Sequence, residues 1–296
     1  MPIDKIIATD LDGTLFYPKK AFRMVSRANR AFIDRFMDDG GKLVLVSGRT
    51  PFSCEKLASK LGRELDFVAC NGACVVSNGS LIRDVSFETQ SLKKMLENIR
   101  SEYPLMLTAL FTKHRGMVIK WSDLTKFTGL GYRLYTFFQF NYRELFVCSD
   151  RVFYEELEKG EVYKILLMFG TSKKKIEMAE KATSLLAEAY PDASFAWSKQ
   201  AVEVTPKNCT KSDGLLFYLE YNHLNHDNVL VVGDSGNDIS MFDAFPKTSF
   251  CMEHSPQSVQ EHSAHLINRF YELEDYVYPS AEKKSPKKET EKEGKR

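Results

Sequence analysis

Two short acidic stretches carry the most chemical information in the chain. In the first, Asp10-Leu11-Asp12-Gly13-Thr14-Leu15, two carboxylates stand two residues apart just after an apolar run. Side chains alternate along a strand, so Asp10 and Asp12 can project the same way from a strand end. Two close carboxylates repel, and both stay ionised only if a cation joins them. A hard divalent ion with oxygen ligands, Mg²⁺ above all, meets that need. Gly13 permits the sharp turn that follows. Taken alone, a polar strand end with a helix cap explains this stretch equally well. The second stretch, Gly233-Asp234-Ser235-Gly236-Asn237-Asp238, weighs against that simpler account. It also follows a buried-strand pattern and precedes a helical one, and a cap explains one of its residues but not the run.

Two weaker signals fit an anion beside that cation. Ser47-Gly48-Arg49 ends another apolar run, where a hydroxyl and free backbone N–H groups at a helix start can bind a phosphate oxygen. Lys211, at the head of a later helical pattern, can neutralise the same anion. Strand-ending serines and surface lysines are individually common. Their order together with the two acidic motifs is not.

The elements that must position these residues follow from the pattern. Residues 5–9 (KIIAT), 42–47 (KLVLVS) and 67–70 read as strands. Between them Val25, Ala28, Phe32 and Phe36 recur at helical spacing, and 51–61 starts on a proline and stops at Gly62, as a short helix does. Alternating strands and helices predict a parallel sheet, whose carboxyl edge is where ligands collect. The middle differs. Asn78-Gly79 marks a hairpin, and 86–191 reads as a helix, two strands, a poorly periodic stretch, a strong strand at 163–169 and a long helix behind Ser172. The α/β pattern then returns, with strands at 202–205, 228–233 and 248–252. The expected division is therefore a core in two parts, 1–85 and 192–280, an inserted α+β domain at 86–191, and a charged tail at 281–296. An aromatic-rich segment at 124–146 reads as core of the insert or as a wall facing the substrate, and the tail has no large apolar side chain with which to bury itself.

Composition narrows the class. Of the 296 residues 43% are apolar, enough for a real core, and the formal charge is +1. Without the charged tail the body is slightly acidic, whereas a nucleic-acid binder concentrates basic charge on its folded part. No apolar run approaches the roughly twenty residues of a membrane span. The six cysteines form no CxxC pair, and with no secretion-like start they read as free thiols in the cytoplasm. His223/His226 and His262/His265 have ligand-like spacing, but no cysteine or acidic partner sits at a zinc-like interval, so they read as surface positions.

The order of these motifs resembles the haloacid dehalogenase-like hydrolase superfamily, in particular its Cof-type phosphatases, which carry a large α/β cap between the second and third motifs. Residues 10–15 match the first motif, Ser47-Gly48-Arg49 the second, Lys211 the third and 233–238 the fourth. Asn71-Gly72-Ala73 and Met241 also fit this branch, while Ser212 stands where it usually has glycine. The resemblance, spanning about residues 3 to 275, implies a Rossmann-like parallel-sheet core with an inserted α+β cap. It also implies a Mg²⁺-dependent phosphatase of small phosphorylated metabolites, sugar phosphates first. Asp10 is then the nucleophile that becomes an aspartyl-phosphate, and Asp12 the general acid and base. Asp10, the Asp12 carbonyl and Asp234 hold Mg²⁺, and Leu11, Ser47, Gly48, Lys211 and Asn237 hold the phosphoryl group. Asp238 orients Lys211 or a metal-bound water. A phosphomutase of the same superfamily and a silent phosphate-binding regulator remain the alternatives.

Overall fold

Near-continuous apolar runs can be stable as strands only where both sheet faces are covered, and these strands are buried on both sides. The computed structural model describes residues 4–18, 24–121, 146–198 and 200–278. Eight strands form one sheet: β1 (Ile6–Thr9), β2 (Lys42–Val46), β3 (Asp66–Ala69), β4 (Cys74–Ser77), β5 (Ser80–Asp84), β12 (Val229–Gly233), β13 (Ser249–Met252) and β14 (His265–Ile267). Their spatial order is β14-β13-β12-β1-β2-β3-β4-β5. Pairing is parallel from β14 to β3 and antiparallel at the β4 and β5 end. Alternation splits the side chains between two cores. Ile7, Leu43, Leu45 and Phe67 pack on one face with the Phe32 and Phe36 helix, and Ile6, Ala8, Val44 and Val46 pack on the other with Tyr218 and Phe242. This is the expected α/β architecture.

The helices flanking the site have readable causes. The helix Arg27–Asp38 starts at Ser26, whose side chain accepts the Asn29 amide, and buries Phe32, Ile33 and Phe36. The helix Pro51–Leu61 has the predicted bounds, with Gly62 left-handed after its end.

A second sheet, built from β6 (Leu107–Thr112), β7 (Gly116–Trp121), β8 (Phe146–Cys148), β9 (Val162–Met168), β10 (Ala193–Ser198) and β11 (Ala201–Pro206), has the order β10-β11-β9-β6-β7-β8. The helices Thr89–Glu102, Asp150–Lys159 and Lys173–Ala189 contribute to the apolar cluster on one of its faces. Here the expected boundary at residue 192 moves. β10 and β11 belong to the second sheet, so the first sheet's remaining segment begins after Pro206. The reason is pairing: β9 needs a partner on each edge, and β6 and β11 supply them antiparallel. The sequence pattern also passed over the helix Asp150–Lys159, which Ser149 caps by accepting the Val152 amide. The aromatic readings at 124–145 and the tail reading at 281–296 lie outside the described residues. All six cysteines are free. No described helix is long and apolar enough to cross a membrane.

One long-range bond joins the sheet to the Lys211–Tyr221 helix. The Tyr218 hydroxyl donates to Asp66 Oδ2 at 2.7 Å, while Asp66 Oδ1 accepts the Asn78 amide at 2.7 Å. Tyr218→Phe is expected to lower the unfolding free energy by about 1–2 kcal/mol, measured by urea denaturation, because a buried carboxylate loses a donor.

Candidate active site

β1 lies between β12 and β2, so the ends of three adjacent parallel strands deliver Asp10, Asp234 and Ser47 to one edge. The chain leaves the sheet at Asp10, whose amide still donates to the Val232 carbonyl at 2.9 Å. Residues 11–15 then wrap into an irregular turn closed by the Phe16 amide on the Leu11 carbonyl at 3.0 Å. Leu11, Leu15 and Phe16 are buried in the core and pin the turn from below. Leu11 can therefore face an anion only through its main chain. Gly13 has φ +91°, and a Cβ there would collide with the Asp234 carboxylate. The first and fourth motifs thus meet main chain against side chain, a fit that only glycine permits.

Lys211 is the first residue of the helix Lys211–Tyr221, at the head of the helical pattern as expected. Thr210 caps it reciprocally with Asp213. The Lys211 side chain is fully buried, its Nζ 2.6 Å from Asp10 Oδ1 and 2.6 Å from Asp238 Oδ1. Asp238 Oδ2 in turn accepts the amides of Asp234 and Ser235 at 2.9 and 3.0 Å. Both Asp238 oxygens are engaged within the protein, so this residue holds the lysine and the loop rather than an incoming group.

One carboxylate oxygen each from Asp10, Asp234 and Asp238 lies within 4.8 Å of the others. Three carboxylates against one ammonium leave two negative charges in a buried space, the charge that one divalent cation would balance. Burial pushes the Asp10 carboxyl well above its ordinary value; Lys211 opposes the rise, and Asp238 and Asp234 add to it. Burial likewise raises Asp238. Burial alone would discharge Lys211, but Asp10 and Asp238 outweigh it and push its pKa up, so the ammonium stays charged. Asp10 and Asp234 fit a hard cation by donor type and by position. Thr14 Oγ1 donates to Asp234 Oδ1 at 3.3 Å and orients it.

The remaining predicted residues distribute around this cluster. The Asp12 side chain does not join it. Arg49 holds that carboxylate with two contacts, Nε to Oδ2 at 2.5 Å and Nη2 to Oδ1 at 2.8 Å. Ser47 is buried, with its main chain fixed between the Val68 carbonyl and the Asn71 amide and its Oγ accepting the Arg49 amide at 3.2 Å. Gly48 offers its carbonyl to Lys164 Nζ. A Cβ at Gly48 would lie 2.7 Å from Lys164 Nζ and 2.9 Å from Asn71 Oδ1. Asn237 donates to Glu203 Oε2 at 3.0 Å and accepts from Ser235 Oγ at 2.8 Å.

Sequence reasoning missed part of the surroundings. Lys164 on β9 and Glu203 on β11 reach down from the second sheet to the Gly48 and Asn237 loops. Their signal was charge inside apolar strands, VYKILLM and AVEVTP. Asn71, noted only within a motif, donates to Glu203 Oε2 at 2.5 Å. His254, on the loop after β13, has Nε2 3.8 Å from Asp234 Oδ2 and its ring stacked on Tyr17. A cleft of about 370 Å³ is bordered by Asn71, Lys211 and Asn237 on one side and by Phe195 and Trp197 of β10 on the other. A wider cleft of about 500 Å³, lined by Phe52, Lys113, Arg115 and Tyr163 among others, contains none of the motif residues.

Comparison with known proteins places the chain by family and by fold. The chain is 23% identical over 257 residues to the 5-amino-6-(5-phospho-D-ribitylamino)uracil phosphatase YbjI of Escherichia coli, covering 86% of this chain and 87% of that protein. Its fold matches a haloacid dehalogenase-like hydrolase from B. subtilis with a TM-score of 0.71 at 23% identity, over 88% of this chain and 94% of that one. It also matches the subclass IIB sugar phosphatase BT4131 with a TM-score of 0.68 at 16% identity, over 91% and 95% of the two chains. Residues 7–272 fit the haloacid dehalogenase-like hydrolase family as a whole, and the chain belongs to that family.

Proposed function

We propose that the protein is a Mg²⁺-dependent phosphatase that hydrolyses small organic phosphate monoesters, sugar and polyol phosphates foremost, through an aspartyl-phosphate on Asp10. The observation that carries this reading is the buried cluster in which Asp10 and Asp234 converge while Lys211 touches Asp10. Family membership and the phosphatase relative from Escherichia coli support it, and that relative's named substrate is a ribityl phosphate.

In this reading Asp10, the Asp12 main-chain carbonyl and Asp234 hold the metal. Bound there, Mg²⁺ supplies positive charge that lets a dianionic phosphate approach a carboxylate and that stabilises the charge spread in transfer. Lys211 neutralises a phosphoryl oxygen beside the nucleophile. Ser47, the Leu11 and Gly48 amides and Asn237 hold the remaining oxygens in line with Asp10. An oxygen of Asp10 attacks phosphorus as the P–O bond to the leaving alkoxide breaks, and Asp12 gives that alkoxide a proton. Asp12 then takes a proton from water as the water oxygen attacks the phosphorus of the acyl phosphate. The acyl P–O bond breaks, inorganic phosphate leaves and Asp10 is restored. Arg49 holds both Asp12 oxygens and releases one of them for that transfer. Asp238 keeps Lys211 aimed at Asp10.

Phosphate release from a panel of phosphorylated metabolites tests the reading; no release from any of them refutes it. Asp10→Asn is expected to lower kcat for p-nitrophenyl phosphate by roughly 1,000-fold or more, since the amide is a poor nucleophile. Activity is expected to vanish in EDTA and return on adding Mg²⁺; full activity in metal-free buffer would remove the metal from the scheme.

A further inference from the structure

His254 has no part in the chemistry just described, yet its ring stands beside a carboxylate that does. Its Nε2 lies 3.8 Å from Asp234 Oδ2, and the two side chains differ sharply in exposure, 31% against 1%. A half-exposed imidazole thus adjoins a carboxylate that water does not reach. The loop that carries His254 is held on both sides of the residue. The Glu253 amide donates to the Ile267 carbonyl at 2.9 Å, and the Ser255 amide to the Met252 carbonyl at 3.0 Å. The ring itself stacks on Tyr17, with centroids 4.1 Å apart and planes at 27°. Tyr17 ends the turn of the first motif, its amide bonded to the Thr14 carbonyl at 3.1 Å. Loop, stack and turn together fix where Nε2 stands.

Asp234 has reason to need such a neighbour. Its amide is bound by Asp238 Oδ2 at 2.9 Å, which fixes the main chain but not the plane of the carboxylate. Thr14 Oγ1 donates to Oδ1 at 3.3 Å, long for a bond between oxygens. The terminal torsion of an aspartate is broad, so a long bond sets that plane loosely. An ion shared with Asp10 requires the plane to be set well, because its ligands must converge on one point. Carboxylates that ligate metals are themselves hydrogen-bonded, and losing such a partner costs about 10–100-fold in metal affinity.

We infer that His254 is a positioning residue for Asp234: its Nε2–H orients the carboxylate toward the shared ion and sets how tightly the site holds it. This role rests on the metal part of the reading above. Imidazole presents an N–H at Nε2 in one neutral tautomer and in its charged form. At 3.8 Å the contact is about 0.9 Å longer than an N–H···O bond, a gap that a small turn of either side chain closes. The two carboxylate oxygens offer about four lone-pair sites, so donors from Thr14 and His254 leave room for the ion. The stack on Tyr17 ties the ring to the turn that follows Asp10, so both ligand loops share one mount.

The test titrates the substrate-free protein with Mn²⁺, an ion suited to the same oxygen ligands, and reads the unbound ion by electron paramagnetic resonance. His254→Phe keeps a ring to stack on Tyr17 and removes the donor. His254→Gln removes the ring and keeps an N–H near the Nε2 position. The Phe variant is expected to raise the Mn²⁺ Kd by about tenfold or more, and the Gln variant to stay within about threefold of wild type. A ring that acts by packing alone gives the reverse order. Thermal melts in EDTA confirm that each variant folds, and His254→Ala replaces the Phe variant if that one does not. A smaller loss in the variant without a donor, or a Gln variant outside its range, overturns the role and leaves the phosphatase reading intact. A wild-type protein that binds no Mn²⁺ removes the metal from the scheme above and this role with it. Mn²⁺ binding without phosphate release from any tested ester refutes the phosphatase reading alone.

Discussion

Three carboxylates and one ammonium share a buried space at the carboxyl edge of the larger sheet, and the charge left over decides how everything nearby is built. Water cannot screen charges that are fully buried, so each must be met by a fixed partner. Asp238 spends one oxygen on Lys211 and the other on two backbone amides. Asp10 meets Lys211 with one oxygen only. The asymmetry separates the roles: a fully bonded carboxylate acts as a support, whereas one with remaining capacity can receive a metal or a phosphorus atom. Gly13 lets the opposing turn approach Asp234 closely enough for the separate loops to act as one centre.

The smaller sheet bears on the same centre from above. Its contribution comes through two adjacent strands, β9 and β11, whose side chains point alternately toward the helices and toward the core. Ile165, Leu167, Val202 and Val204 pack with the helices, and Lys164 and Glu203 take the opposite face. A charged side chain on an otherwise apolar strand is costly on the packed face, so its place on the other face is where it meets the loops at the carboxyl edge of the larger sheet. The two sheets therefore meet through polar groups at the loops that carry Gly48, Asn71 and Asn237.

Much of this was legible in the chain itself. The runs IIAT, KLVLV and VLVVG could be read as buried strands because no polar residue interrupts them, and the acidic motifs directly follow two of them. Strand order within a parallel sheet then brings Asp10 and Asp234 together. The domain boundary was not legible, because β10 and β11 look the same whichever sheet they join; pairing with β9 decides it. Nor were the partners of Asp12, Asn71 and Glu203, since those contacts link residues 37 and 132 positions apart through side-chain directions that periodicity does not specify.

The central position of β1 has a consequence for how the molecule comes into being. One edge of β1 pairs with β2, some thirty-five residues on, while the other pairs with β12, which begins at Val229. During synthesis the early strands emerge long before that second neighbour, so an apolar strand edge stands open while the whole second domain is made. The second sheet closes on its own strands and can form in the interval. Formation of the sheet's carboxyl edge is thus a late event, completed only when the ribosome has delivered the last third of the chain, and the nascent protein must be kept from pairing with its neighbours until then.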